Sequence, residues 1–297
     1  MAKASDKIVY VLLLFSALIT VAVTFGIVLT LVGDTIRFFT HISPLEFFLG
    51  TKWTPTIRPY SFGVLPLVAG TVMVTVGAAA IAIPSGLLAA VYLSEYAGER
   101  RRAVLKPLLE ILAGIPTVVY GYFAFAYITP FLKALFPDIS AYNALSASIV
   151  VGIMIIPIVA SISEDALRAV PQSLREAGYA LGARKAKVIA SIVIPAALSG
   201  IVASFILGIS RAIGETMAVT IAAGRTPRLV NILNPVDWLG SIETMTAAMV
   251  EIGISDVSGQ SVAYQSLFAI GFTLFLMTML LNTVSYAIKM RFREVYR

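Results

Sequence analysis

Long uninterrupted apolar stretches, set between short polar segments, organise this chain. No charged residue occurs between Lys7 and Asp34. That run exceeds the roughly 7 to 15 apolar residues of a cleavable signal, so it predicts a retained membrane-spanning helix. Further runs close to the roughly 20 residues that a bilayer demands cover about 65–93, 108–132, 145–162, 196–222 and 264–288. Backbone groups in hydrocarbon leave only helices or closed barrels, and these runs are too long and too uniform for barrel strands. The expectation is an all-α membrane protein with six transmembrane helices.

The polar segments orient the spans. One set carries Lys3 and Lys7, Arg100 to Arg102 with Lys106, the group Arg168, Arg175, Arg184, Lys185 and Lys187, and the tail Lys289, Arg291, Arg293 and Arg297. The opposite set holds Arg37, Lys52, Arg58, Lys133, Arg225 and Arg228. The richer side is the cytoplasmic one, which places both termini there. In the external segment "DWLGSIETMTAAMVEIGI", Trp238, Ile242, Met245, Met249 and Ile252 recur every three or four residues. This predicts a helix lying at the outer interface or folding back into the bundle. The other external segment, "FFLGTKWTPTIRPYSFG", has belt-forming aromatics and prolines that favour an irregular path.

Composition agrees with this plan: 59% hydrophobic and 13% charged residues, with mean hydropathy +0.91. A net charge of +6 could suggest nucleic acid, but no soluble basic face exists to bind it, and topology explains the excess. The absence of cysteine excludes disulfides and thiolate chemistry, and the single histidine, His41, argues against a histidine metal site.

The longest internal loop, 163–195, contains Pro171 and Gln172 as a helix start, Leu174, Ala177 and Leu181 at helical spacing, and Gly182 as a breaker. A short exposed helix followed by a glycine turn suits docking in a partner's groove. Within it, "EAGYALGARKAKVIASIVIP" resembles the signature loop of ABC-importer permeases at Glu176, Ala177, Gly182, Ile192 and Pro195. Gly178 stands where that family usually has a second alanine, and Ile194 where it usually has leucine. The resemblance implies a coupling helix seated in a cleft of an ATPase subunit, with Glu176 meeting basic residues there. "GARKAK" lacks the glycine-rich turn closing on Gly-Lys-Ser/Thr, so the ATPase is expected to be a separate chain that holds ATP and magnesium.

The segments at 81–97, 108–122 and 208–219 resemble phosphate-importer permeases. "TKWTP" followed by "FGVLPLVAGTVMVT", together with "GETMAV", resembles their C-type subunit. This resemblance spans about 47–290. It implies a type I importer fold in a prokaryotic inner membrane, with a first helix and external loop over 1–64, a five-helix core over 65–290 and a tail over 291–297. The implied partners are an A-type permease subunit, two ATPase subunits, an external phosphate-binding protein and lipid. A permease for sulfate or molybdate is the nearest alternative. An ion-coupled secondary transporter is a more distant one, since it should show an internal repeat that is not detected.

Pro84 and Pro116 remove backbone hydrogen bonds and are candidate hinges. The aromatics Tyr120, Tyr122, Phe123, Phe125 and Tyr127 suit packing and the interface. More unusual is "SRAIGETMAV", which carries Arg211 and Glu215 within an apolar run. Four residues apart, they share a helix face, and at 1.5 Å per residue Arg211 lies roughly 22 Å beyond Ala196, near mid-bilayer. Each charge facing lipid costs about 2.5 to 3.5 kcal/mol there, so the pair is expected to face inward. Buried ion pairs rarely add net stability over apolar replacements, which favours function over stapling. The phosphate-permease resemblance places both residues in the translocation path, with Ser210 and Thr216 beside them. A guanidinium fork matches phosphate oxygens, and Glu215 would compete with the anion so that it can be released. The hydroxyls Thr71, Thr75, Ser148 and Thr220 could also line a path, although such groups usually bond backbone.

Overall fold

The computed structural model describes the backbone of residues 2–291 and the side chains of 6–287; the predicted tail past Arg291 lies outside the described residues, as do the side chains of Lys3, Lys289 and Arg291. Six helical segments are long and apolar enough to span a membrane: Asp6–Phe39, Leu65–Tyr96, Thr117–Leu135, Ala144–Arg168, Lys185–Ile213 and Val262–Ala287. The number agrees with the hydropathy pattern, but two spans break where apolarity alone predicts continuity.

In chain order, α1 (Ala2–Phe39) and α2 (Pro44–Leu49) lead to a short antiparallel hairpin, in which β1 (Trp53–Thr54) pairs with β2 (Ser61–Phe62). Helix α3 (Leu65–Val91) continues into a π-helical turn, Tyr92–Tyr96. Helices α4 (Glu99–Gly114), α5 (Thr117–Phe123), α6 (Thr129–Leu135) and α7 (Ala144–Arg168) follow. The loop after α7 carries α8 (Gln172–Ala180) and α9 (Lys185–Val188), then α10 (Ile194–Ile213) and α11 (Met217–Ala222). The chain closes with α12 (Pro235–Trp238), α13 (Met245–Ile254) and α14 (Val262–Arg291).

Helix α3 packs along α7, and α10 lies against both, so these three build the centre of the bundle. Met73, Ala78, Val151 and Ile155 are fully buried there. Helix α1 is exposed from Asp6 to Phe25 and is gathered in only near its end, where Phe38 joins Phe47, Trp53, Phe62, Leu67, Met245 and Ile270. The amino-terminal segment is therefore fastened to the core at the hairpin end.

The predicted span 108–132 is corrected. Pro116 does not kink a helix; it caps α5 in an extended conformation, and it pushes Ile115 to ψ 130, away from helical geometry. Helix α4 is thus a separate element laid against α7, with no buried side chain, and the span begins at Thr117. Pro84, by contrast, sits within an unbroken α3. The run 196–222 also divides, between Ile213 and Met217. Proline explains two irregular turns as well. π-Helical turns at Ala124–Ile128 and Ile189–Val193 each precede an Xaa-Pro step, Thr129-Pro130 and Ile194-Pro195. A wider turn relieves the clash of the proline ring with the carbonyl four residues back.

The striped segment 238–252 folds back into the bundle instead of lying on its surface as one helix. Thr244 caps α13, and Met245, Ala248 and Ile252 are buried. Gly70 of α3 allows this entry: a Cβ there would stand 2.2 Å from the carbonyl oxygen of Glu243.

Candidate functional site

The break between α10 and α11 holds the charged pair. Arg211 lies in the last turn of α10, and Glu215 lies beyond the helix end, so the two reach across a helix break rather than along one continuous helix. Arg211 Nη1 donates to Glu215 Oε2 at 2.6 Å. The backbone N–H of Ala218 donates to Glu215 Oε1 at 3.1 Å, so the carboxylate also holds the first turn of α11. From the re-entrant helix, the Thr246 hydroxyl donates to the Glu215 carbonyl at 2.7 Å. Three elements thereby fix the position of Glu215.

The two partners differ in exposure. Side-chain exposure is 42% for Arg211 and 2% for Glu215. A guanidinium has five N–H donors, and among the described residues Arg211 commits only Nη1. The free edge can accept a planar or tetrahedral oxyanion without breaking the carboxylate contact.

The candidate path hydroxyls are mostly occupied. Thr216 donates to Gly214 O, Thr220 to Thr216 O, Thr75 to Thr71 O and Ser148 to Ala144 O. Ser210 Oγ lies 3.5 Å from Asn282 Oδ1, at the limit of a hydrogen bond. Thr71 donates to Leu67 O and accepts from Met245 N, which ties α3 to the re-entrant helix. Tyr120 donates to Leu112 O at 2.7 Å across the α4–α5 break, a bracing role consistent with packing.

At the other end of the bundle, α8 presents Glu176, Ala177, Tyr179 and Leu181 outward, and Leu181 is 89% exposed. Gly182 turns the chain at φ +78, a conformation that favours glycine. The glycine at 178 has a local reason: a Cβ would meet Ile192 Cδ1 at 2.7 Å and Val188 at 3.0 Å. Gly178, on the inner face of α8, therefore lets the helix rest on Val188 and Ile192, opposite its exposed residues.

Two further networks hold this loop, and sequence reading missed both. Arg175 is buried and gives Nε and Nη2 to Glu95 Oε1 at 3.3 and 2.9 Å, Nη1 to Val170 O and Nη2 to Leu167 O. Lys185 adds a bond to the Glu95 carbonyl and covers the Tyr96 ring. Glu164, wholly buried, receives Arg102 and Lys106 from α4 at 2.8 Å each, with Arg168 at 3.8 Å. The Glu164 hydrogen bond raises the Lys106 pKa against the opposing effect of burial. The available signal was the spacing of Arg102 and Lys106 on one face of α4, but their partners lie 62 and 58 residues away.

Of the outward arginines, Arg228 is spent: it bonds Asp237 Oδ1 at 2.7 Å, Asp237 O and Ser241 O. The Asn231 N–H and then Arg228 hold the Asp237 carboxyl below its ordinary range. Arg58 lies over the Tyr60 ring.

Comparison with known proteins places this geometry. The family described as binding-protein-dependent transport system inner membrane component matches residues 82–293. A probable ABC transporter permease protein, YqgH of Bacillus subtilis, is 34% identical over 89% of this chain and 84% of its own length. The phosphate transport system permease protein PstC of Xylella fastidiosa is 33% identical over 89% of this chain and 86% of its own. Among solved structures, the inward-facing MetNI methionine ABC transporter superposes with a TM-score of 0.56 at 16% identity, covering 78% of this chain and 95% of that one. That likeness establishes the shared fold.

Proposed function

The chain belongs to the family of binding-protein-dependent transport system inner membrane components, and from that membership we infer that it is the permease subunit of an ATP-driven inorganic phosphate importer. It is a multi-pass inner-membrane protein and a transport subunit rather than an enzyme. A partner permease and an ATPase complete the transporter. The observation that carries the phosphate assignment is the near full-length similarity to PstC proteins, joined to a guanidinium with a free donor edge at a helix break.

In this reading the second permease is the A-type subunit, with which the chain forms the path. Two ATPase chains bind ATP and magnesium, and the exposed face of α8, with Glu176 at its centre, docks into them. The lysine and arginine distribution supports a cytoplasmic position for both termini and for the loop 163–195. Clamping of the ATPase pair moves α8 as a rigid body, and its seat on Val188 and Ile192 passes the displacement to α10. Pro84 lets α3 yield during that motion.

Phosphate, released by an external binding protein, meets the free edge of Arg211. Ser210 and Thr216 adjoin this point. The buried carboxylate of Glu215 keeps the guanidinium oriented and competes for it, so the anion binds and leaves as the bundle alternates. The energy comes from the ATPase, which removes the need for an ion-coupled cycle.

The test is labelled phosphate uptake into vesicles that contain this chain with its partner permease and ATPase. Uptake that requires internal ATP and is not inhibited by excess sulfate or molybdate is expected. Uptake of sulfate in preference to phosphate would falsify the substrate assignment.

A further inference from the structure

The far end of α11 opens into a cavity of about 400 Å³ lined by Tyr142, Thr220, Ile221, Gly224, Arg225, Thr226 and Ser241. At about 30 Å³ per water, it has room for an oxyanion with part of its hydration shell. Arg225 also lines a second, smaller cavity of about 160 Å³, in which Glu243 and Glu251 lie. Among the described residues, the side chains of Arg225 and Thr226 have no hydrogen-bond or ion-pair partner, and both residues are exposed. Arg228, three residues on, has each of its three nitrogens bonded to Asp237 or a backbone carbonyl. Arg225 is therefore the arginine of this segment left available to a ligand.

We propose that Arg225, with Thr226 and Tyr142, forms an outer waiting site for phosphate, one α11-length outward from Arg211. This rests on the phosphate-importer reading above. Helix α11 connects the two arginines: Glu215 holds its start, and at 1.5 Å per residue its six residues rise about 9 Å. Thr216 and Thr220 stand one turn apart along it. Two positive sites in series let an anion step inward without one site binding it so tightly that release fails.

The surroundings keep Arg225 unneutralised. Glu243 is 3% exposed and borders the smaller cavity, and Glu251 Oε2 is buried without a hydrogen-bond partner among the described residues. Burial, then the Glu251 carboxyl, push Glu243 up to about 8, against the pull of Arg225. Near neutral pH the Glu243 carboxyl holds its proton, and among the described residues neither Glu243 nor Glu251 forms an ion pair with the guanidinium. Two of the four cavity hydroxyls already serve the backbone, Thr220 toward Thr216 O and Ser241 toward Ala223 O. This leaves Arg225, Thr226 and Tyr142 as the donors.

The native chain lacks cysteine, so Thr226→Cys introduces its single thiol. The assembled complex, in nanodiscs of one zwitterionic lipid and without ATP, is treated with an anionic methanethiosulfonate, and modification is read on the peptide that contains position 226. Inorganic phosphate is expected to slow the reaction about tenfold relative to chloride at equal ionic strength. Adding Arg225→Gln removes the protection, and Arg225→Lys retains part of it. Equal rates in phosphate and chloride overturn the proposal, as they would if lipid headgroups already filled the site; so does protection that survives Arg225→Gln.

If Arg225 instead seats the delivering protein, Arg225→Gln raises the concentration of that protein needed to stimulate ATP hydrolysis, while phosphate fails to protect. That result also overturns the proposal. Failure of the functional reading looks different: the wild-type complex accumulates no phosphate, and the protection assay, which needs no transport, still decides the waiting site.

Discussion

Arg175 and Arg211 each face a glutamate whose side chain is barely exposed, yet the two pairs differ in how their arginine donors are used. Arg175 has side-chain exposure of 10%, and its donors are taken by Glu95 and two backbone carbonyls. Arg211 is exposed at 42% and spends one donor on Glu215. A guanidinium with its donors filled can only hold parts together. One with an open edge can exchange partners, which is what transport of an anion asks for. Donor occupancy, more than burial or the presence of a salt bridge, separates a clasp from a site.

The largest expected effect breaks the clasp. Arg175→Ala leaves Glu95 buried without its counter-charge and should cost about 3–5 kcal/mol, read as thermal unfolding of the purified complex. Replacing both Arg175 and Glu95 with leucine should recover most of that loss. A single-variant loss under about 1 kcal/mol would mean that the clasp is no stronger than a surface pair. At the open pair, Glu215→Gln should leave the Ala218 contact in place through its amide oxygen while it weakens the competitor for Arg211. Uptake is expected to fall about tenfold, with ATP hydrolysis less tightly coupled to it. Unchanged transport and coupling in that variant would sink the exchange.

A smaller effect concerns the outer carboxyls. Folding raises the Glu243 pKa from 4.5 to about 8, with Glu251 and Arg225 facing it. Across that window the folded protein keeps a proton that the unfolded chain releases, so the contribution of Glu243 to stability is full below about 4.5 and is lost as the pH rises to about 8. Glu243→Gln should flatten this dependence when midpoints are compared at pH 5 and pH 8. Parallel slopes in the two proteins would show that the carboxyl is ionised throughout.

These contrasts also explain what could be read from the amino-acid sequence. Six spans and the Arg211–Glu215 contact were legible because each depends on neighbours in the chain: a run of apolar residues, or a four-residue spacing. The break after Ile213 was not, since Gly214 and Thr216 scarcely interrupt hydropathy, and what stabilises it comes from Thr246, 31 residues further on. Pro116 was visible as a disruption, but whether it kinks or starts a helix depends on how α4 leaves the bundle. The Arg175–Glu95 clasp joins residues 80 apart, and no local pattern marks either partner. The family-signature glycine turn was legible, whereas the reason for glycine at 178 required the position of Ile192.

The central claim is that Arg211 acts through the open edge of its fork. Arg211→Lys tests this most directly, because it preserves the charge opposite Glu215 and removes only the planar donor set. The account predicts ATP-dependent phosphate uptake reduced at least about tenfold in vesicles, with thermal stability shifted by less than about 1 kcal/mol. Uptake at the wild-type rate would contradict it and would assign the role to positive charge alone.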